Sequence, residues 1–529
     1  MKQFLCTLTE PIVQTKAGKL RGFQYDGIYT FHGIRYAKAR RFEAPRPVKP
    51  WEGVKDALSY GYICPTLGSP RPVGEVMTPH RFWPTNENCQ YLNVWSPALG
   101  ENEKKPVMVW FHGGGYSDGS SIEQSAYDGA NLARYGDVVV VTVNHRLNVF
   151  GFLDMSAFGE QYKNSANAGV ADLVAALQWV HDNIAGFGGD PDNVTIFGQS
   201  GGGGKVTDMG QMPAAAGLFH RAIVMSGVLS GGIMQNDVDG EELARAILKE
   251  LDPDTDDIQV MIKAPTTHLI EAVNAAVAKF RAEGRNVSWR PSANEWHKGD
   301  PLHVDFSDYY RTIPTMVGTV IGEFNMAPMT PDKEALSEEE RRQVIVDQFG
   351  EEKADKLIEM YKKAYPGKNI VYAKDVDTMF RPATIAYLHK KAAESSAPVY
   401  SYMFGAIFPY GGGTPCGHCS DIGYFFHNAD LVPATQIPGV TDRLEQEMFS
   451  AFVNFARTGD PNGEGLPKWD PCTAEELHTM IFDEKTEVRT NHDEELVPYL
   501  DSIKPPFSFD FAAMMKDDDD DDEGQAWVY

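Results

Sequence analysis

The chain has 529 residues and a mass of 58.6 kDa, long enough to bury a sizeable core. Hydrophobic residues make up 42% and charged residues 23%, a globular balance that excludes a chain disordered throughout. The formal net charge is −26, and without the run Asp517 to Glu523 it is still −19; such a field repels phosphate backbones and anionic lipid and argues against nucleic-acid or membrane-surface binding.

The stretch from Met1 to Pro11 is too short and too mixed for a signal-peptide core. No window reaches the roughly 18 apolar residues that a membrane-crossing helix needs. A soluble, cytoplasmic protein is expected. Its cysteines, Cys6, Cys64, Cys89, Cys416, Cys419 and Cys472, are too sparse for a disulfide framework.

In chain order, Gly18 to Gly22 and Tyr29 to Tyr36 predict short β-segments with glycine turns. Pro45, Pro47 and Pro50 mark irregular chain. Tyr91 to Trp95, Val107 to Phe111 and Val138 to Val143 then read as strands. The last two do not alternate with polar residues, which suits strands buried on both faces of a mainly parallel sheet. Between Ala171 and Ile184, Leu173, Leu177, Val180 and Ile184 recur at helical spacing, which predicts an amphipathic helix. Gly188 to Pro191 ends it, and Val194 to Phe197 is the next strand. Phe219 to Met225, Pro314 to Val317 and Val399 to Phe404 follow as strands, and 432–457 as largely helical chain. Strands alternating with helices predict an α/β fold with a wound sheet. The helix-rich, charged stretch of about 236–375 reads as an insertion capping one end of the sheet. The tail 516–529 opens with a like-charge block, which predicts solvated, disordered chain.

The chemistry centres on Gly198-Gln199-Ser200-Gly201-Gly202, directly after the strand Val194 to Phe197. A nucleophilic serine needs a tight, exposed turn at the carboxyl end of a strand, with small neighbours that let strand and helix pass closely. The following helix directs its N-terminal dipole at developing negative charge. The bland alternative is a glycine-rich strand-to-helix turn with an idle serine. Phe111-His112-Gly113-Gly114-Gly115-Tyr116 follows an earlier strand. A glycine run there frees backbone N–H groups to face a carbonyl oxygen, and Gly114, Gly115 and Gly201 are the candidate oxyanion donors.

These blocks, with Gly33-Ile-Arg-Tyr-Ala37, Glu87-Asn-Cys89-Gln-Tyr-Leu-Asn-Val94, Asn144-His-Arg146, Phe187-Gly-Gly-Asp-Pro191, Ser226-Gly227 and Asn454 to Pro461, resemble type-B carboxylesterases, the cholinesterase-like branch of the α/β-hydrolases. The resemblance runs nearly end to end. It implies one α/β-hydrolase domain over 1–515, with a large, mostly parallel sheet flanked by helices and helical insertions capping the active site. It implies a serine esterase with a Ser-Glu-His triad. Ser200 is then the nucleophile, Glu323 in Val317-Gly-Thr-Val-Ile-Gly-Glu323-Phe324 the acid, and His418 in Gly417-His418-Cys-Ser-Asp421 the base. The order agrees with the α/β-hydrolase rule. His427 lies outside the matching position, His112 shapes its loop without moving protons, and Ser226 is placed near the acid. A small-molecule ester is the expected partner, with no cofactor and no metal.

The sequence also departs from the family. Gln199 stands where Glu is common, which removes a charge beside the triad. Pro79 stands where cholinesterases carry a tryptophan for quaternary ammonium, although Trp83 is near, and the aromatic pair after the acid reads Phe324-Asn325-Met326. Neutral esters with short to medium or aryl groups therefore fit better than choline esters. Cys64 and Cys89 occupy places resembling a disulfide of secreted members, but reduced thiols are expected in a cytosol. Cys416-Gly-His-Cys419 lacks the context of a redox motif or of a four-ligand zinc site. The absent export signal and the Gly-Gln-Ser-Gly-Gly variant look more bacterial than animal. Non-catalytic interaction proteins of this fold are the alternative class, though such relatives typically lose a triad member. Long-chain lipids, carbamates and aryl esters of plant acids are alternative substrates.

Overall fold

The computed structural model describes residues 3–68, 79–229, 236–324 and 332–504. The tail 516–529, with Asn325 and Met326, lies outside the described residues.

Among the described residues, the main sheet has twelve strands. In chain order they are β1 (Phe4–Leu5), β2 (Phe23–Tyr25), β3 (Ile28–Arg35), β4 (Tyr91–Ser96), β5 (Lys105–Phe111), β6 (Val139–Val143), β7 (Gly189–Gln199), β8 (Arg221–Met225), β9 (Thr315–Val320), β10 (Val399–Phe404), β11 (His478–Phe482) and β12 (Glu487–Thr490). Across the sheet they run β1-β2-β3-β4-β6-β5-β7-β8-β9-β10-β11-β12. From β6 to β11 every neighbouring pair is parallel, and the pairs at both edges are antiparallel.

The unbroken apolar runs have a direct physical reading. On β5, Val107, Val109 and Phe111 enter one apolar cluster while Met108 and Trp110 enter another. Successive side chains of a strand point to opposite faces, so a strand buried on both has no polar position to alternate with. The main helices are α1 (Ala168–Asn183), α2 (Gly201–Gln211), α3 (Gly240–Leu251), α4 (Thr266–Ala282), α5 (Glu338–Phe349), α6 (Glu351–Ala364), α7 (Arg381–Glu394) and α8 (Thr441–Thr458). Leu173, Leu177 and Val180 of α1 pack into the first cluster. Leu444, Met448, Phe452 and Phe455 of α8 pack into the second. Helices therefore cover both faces. Among the described residues, no helix is long and apolar enough to cross a membrane.

One strand starts well before the sequence reading places it. β7 begins at Gly189 instead of Val194, and its pairing with β5 shifts register between Lys105 and Val107. That irregularity lets Pro191, which has no N–H to donate, sit within the strand. The strand expected at Pro314 to Val317 is β9, a fully buried strand of the main sheet that runs on to Val320 and divides the stretch 236–375. On one side of it α3 and α4 pack into the first cluster, and on the other α6 packs into the second.

Arg146, in the loop after β6, ties the sheet to α1. Its Nε and Nη2 donate to Asp172 Oδ2 and Oδ1 at 2.9 and 2.8 Å, and Nη1 donates to Glu43 O at 2.8 Å. Both side chains are almost fully buried. Removing one partner of such a pair strands the other charge in a low-dielectric interior. Arg146→Met should therefore lower the unfolding free energy by about 3–5 kcal/mol in urea denaturation. An unchanged midpoint would contradict this.

Candidate active site

Ser200 stands alone between β7, which ends at Gln199, and α2, which starts at Gly201. Its φ of 59° and ψ of −130° are strained for a residue with a side chain, and such strain is retained where the surroundings enforce it. Ser200 N donates to Met225 O at 2.8 Å, and Ser200 O accepts from Gly204 N at 3.0 Å.

The two glycine motifs meet here. A Cβ on Gly201 would lie 2.2 Å from Gly115 O, and one on Gly202 would lie 2.0 Å from Phe111 O. Only glycine allows that approach of loop and helix. Gly114 and Gly115 have φ of 84° and 61°, the left-handed conformations that turn the loop back. Among the described residues, no protein acceptor takes the N–H groups of Gly114, Gly115 or Gly201. His112 is buried; its Nδ1 lies 2.8 Å from Gly113 O, and its ring stacks on His145 at 5.1 Å.

Glu323 follows β9 at a φ of 34°. Its carbonyl accepts from His418 N at 2.9 Å, which fixes the two loops against each other. The side chains complete the link, with His418 Nδ1 and Glu323 Oε2 2.6 Å apart. Glu323 Oε1 accepts from Ser226 Oγ at 2.6 Å and from Val320 N at 3.0 Å. The His418 ring packs in a three-ring cluster with Phe324 and Phe380, at centroid distances of 4.2 and 5.1 Å, the two phenyl rings being 6.0 Å apart. Burial pushes its pKa down to about 4, because a charged ring is poorly solvated there. The ring is therefore neutral near neutral pH. Burial raises the Glu323 carboxyl, and the donors from Ser226 and Val320 oppose that rise.

The structure thus joins Glu323 to His418 directly. It does not join Ser200 Oγ to the imidazole by a hydrogen bond among the described residues; the neighbouring Gln199 touches the ring instead. Gln199 Nε2 lies 3.3 Å from each ring nitrogen, and its Oε1 accepts from Cys419 Sγ at 3.1 Å. In unliganded sites such contacts are commonly long and tighten with substrate. His427 pairs with Glu445 at 3.0 Å. All six thiols are free, Cys64 and Cys89 included. No cluster that could hold a metal ion occurs among the described residues.

Several contributors escaped the sequence reading. Asp377 accepts from the N–H groups of Met379, Phe380 and Arg381 at 2.9, 2.9 and 2.7 Å, which sets Phe380 at the start of α7 against the imidazole. No local motif announces that pairing. Lys205, buried on α2, donates from Nζ to His112 O at 3.0 Å. Its signal was visible as a cation directly after four glycines.

With His418 as the expected base, an imidazole held neutral down to low pH should leave the acid limb of kcat/KM near pH 4 instead of the ordinary histidine value of 6.5. Protonation removes the base, so activity falls as pH drops through that value. A limb at 6.5 in a pH–rate profile would contradict it. Gly202→Ala forces the His112 loop away from α2 and should lower kcat/KM by about 100-fold; wild-type kinetics would show that the close approach is unimportant.

The family model "Carboxylesterase family" matches residues 9–499. Para-nitrobenzyl esterase of Bacillus subtilis (strain 168) is 31% identical over 92% of this chain and 98% of its own. Phenmedipham hydrolase of Pseudarthrobacter oxydans is 32% identical over 91% and 97%. Among solved structures, an esterase from anaerobic Clostridium hathewayi that can hydrolyze aliphatic aromatic polyesters is 49% identical, with a TM-score of 0.92 over 95% of this chain and 100% of its own. A para-nitrobenzyl esterase described as thermophilic has a TM-score of 0.73 at 30% identity. The mostly parallel sheet with helices on both faces is the α/β-hydrolase fold of these neighbours. The chain belongs to the carboxylesterase family, type B, and is a carboxylic ester hydrolase.

Proposed function

We propose that the chain hydrolyses neutral carboxylic esters by two-step acyl transfer through Ser200. Ser200 Oγ attacks the ester carbonyl carbon while His418 Nε2 takes its proton. Glu323 holds the imidazole through Nδ1 and stabilises the positive charge that develops on it. The N–H groups of Gly114, Gly115 and Gly201 receive the oxyanion. His418 then protonates the departing alcohol, and water repeats the sequence on the acyl-enzyme. The observation that carries this reading is the 2.6 Å Glu323–His418 contact, held beside a serine on a strained turn.

The substrate follows from what surrounds the imidazole. Phe324 and Phe380 flank it, and Gln199 brings an uncharged amide to it. An aryl or short- to medium-chain acyl ester meets apolar, uncharged groups there. The para-nitrobenzyl esterase and the polyester-hydrolysing neighbour, each named for aromatic esters, support the aryl preference. Free thiols at all six cysteines suit a reducing, cytoplasmic compartment.

Hydrolysis of p-nitrophenyl acetate, butyrate, octanoate and palmitate by the wild type and by Ser200→Ala tests this. The wild type should turn over the shorter esters and lose activity toward palmitate. Ser200→Ala should lose roughly a million-fold in kcat. A folded wild type that cleaves none of the esters and resists a fluorophosphonate probe would refute the acyl-transfer reading, and best activity on palmitate would refute the chain-length preference.

A further inference from the structure

Lys205 lies on α2, little more than one helical turn beyond Ser200. Its side chain is 0% exposed. Nζ donates to His112 O at 3.0 Å and lies 5.8 Å from the centroid of the Tyr116 ring. Among the described residues, no carboxylate forms an ion pair with it. Asp208, on the same helix, is engaged elsewhere, accepting from Tyr116 Oη at 2.8 Å and meeting His297 Nε2 at 3.0 Å. An amine buried without a direct ion pair is costly; burial lowers its pKa to about 7, with Asp208 and Glu123 opposing that fall from a distance. Plain packing would be served equally by methionine, which is close to lysine in size and carries no such cost.

The position of the bond suggests what it does. His112 opens the loop that carries Gly114 and Gly115, and Lys205 belongs to the helix whose first residue is Gly201. The three candidate oxyanion donors thus come from two separate elements. These touch through backbone at Gly115 and Gly201, and the Lys205–His112 bond is a side-chain strut between the same two elements. Oxyanion donors work only when held in place before charge develops, and an error of a few tenths of an ångström weakens them.

We propose that Lys205 is a positioning residue for the oxyanion site, bracing the His112–Gly115 loop against the nucleophile helix. The proposal rests on the acyl-transfer reading above. It makes Lys205 matter to the tetrahedral intermediate and leave ground-state binding of the ester alone.

The test uses the full chain with p-nitrophenyl butyrate and an aryl trifluoromethyl ketone, whose hydrated or serine-bound form resembles the intermediate. Lys205→Met should fold, as judged by circular dichroism and thermal melting. Its kcat should fall by about 10- to 100-fold with KM within about twofold of wild type, and its inhibition constant for the ketone should rise in proportion to the loss of kcat. A folded Lys205→Met with wild-type kcat and ketone affinity, or with a raised KM alone, overturns the proposal. Lys205→Ala assayed with added ethylammonium gives a second decision, should the methionine variant not fold. Saturable recovery of kcat supports the strut, and no recovery overturns it. Failure of the esterase reading itself looks different: the wild type is then inert, or Ser200→Ala is active.

Discussion

Everything at this site depends on how closely two pieces of backbone approach. The loop leaving β5 and the first turn of α2 touch main chain to main chain, with Gly115 against Gly201 and Phe111 against Gly202. A single Cβ at either α2 position would overlap a carbonyl oxygen. That constraint explains why glycines crowd both motifs. It also places unpaired N–H groups from the loop and the helix beside a serine whose strained backbone projects it from the turn. The parallel pairing of β5 with β7 supplies the rigid base, because it brings the carboxyl ends of both strands to the same edge of the sheet.

Burial does two further things. It removes the charge from the imidazole, whose pKa falls to about 4, so the ring is neutral across the neutral range. It also makes the Glu323–His418 contact strong, since few competing water dipoles reach it. The carboxylate is not left to bear this alone, because Ser226 and the Val320 N–H also donate to it. The phenyl rings of Phe324 and Phe380 pack against the imidazole and against each other, and Asp377 fixes Phe380 by capping the start of its helix. A carboxylate distant in sequence thereby sets the orientation of an aromatic wall.

The chain is strongly acidic overall, yet the groups that meet the imidazole are mostly uncharged. Gln199 replaces an acidic residue common in the family and binds both the imidazole and the Cys419 thiol. Of the acids nearby, Glu323 is committed to His418, Asp377 to the N–H groups of Met379 to Arg381, and Asp421 accepts from the Tyr402 hydroxyl. The field of the surface and the charge beside the imidazole are therefore separate properties.

Much of this was legible in the sequence, for physical reasons. The strands of the sheet centre appear as β-branched runs without alternation, because both of their faces are buried. The helix Ala168–Asn183 shows its buried stripe at Leu173, Leu177 and Val180. Gly198, Gly201 and Gly202 mark close backbone approach that a Cβ would block, and Gly114 and Gly115 mark a left-handed turn. What only the tertiary structure decided involves residues far apart in the chain. Asp377 and Phe380 reach His418 from a different loop, and Gln199 reaches Cys419 across the sheet edge. Lys205 finds a carbonyl on a loop more than ninety residues earlier. Such pairings leave no periodicity and no spacing in the sequence, since they are set by where strands β5, β7, β9 and β10 end in space. Glycines, strand composition and helix stripes are local demands of the backbone, and one sequence displays them; contacts between loop ends exist only once the sheet has aligned those ends.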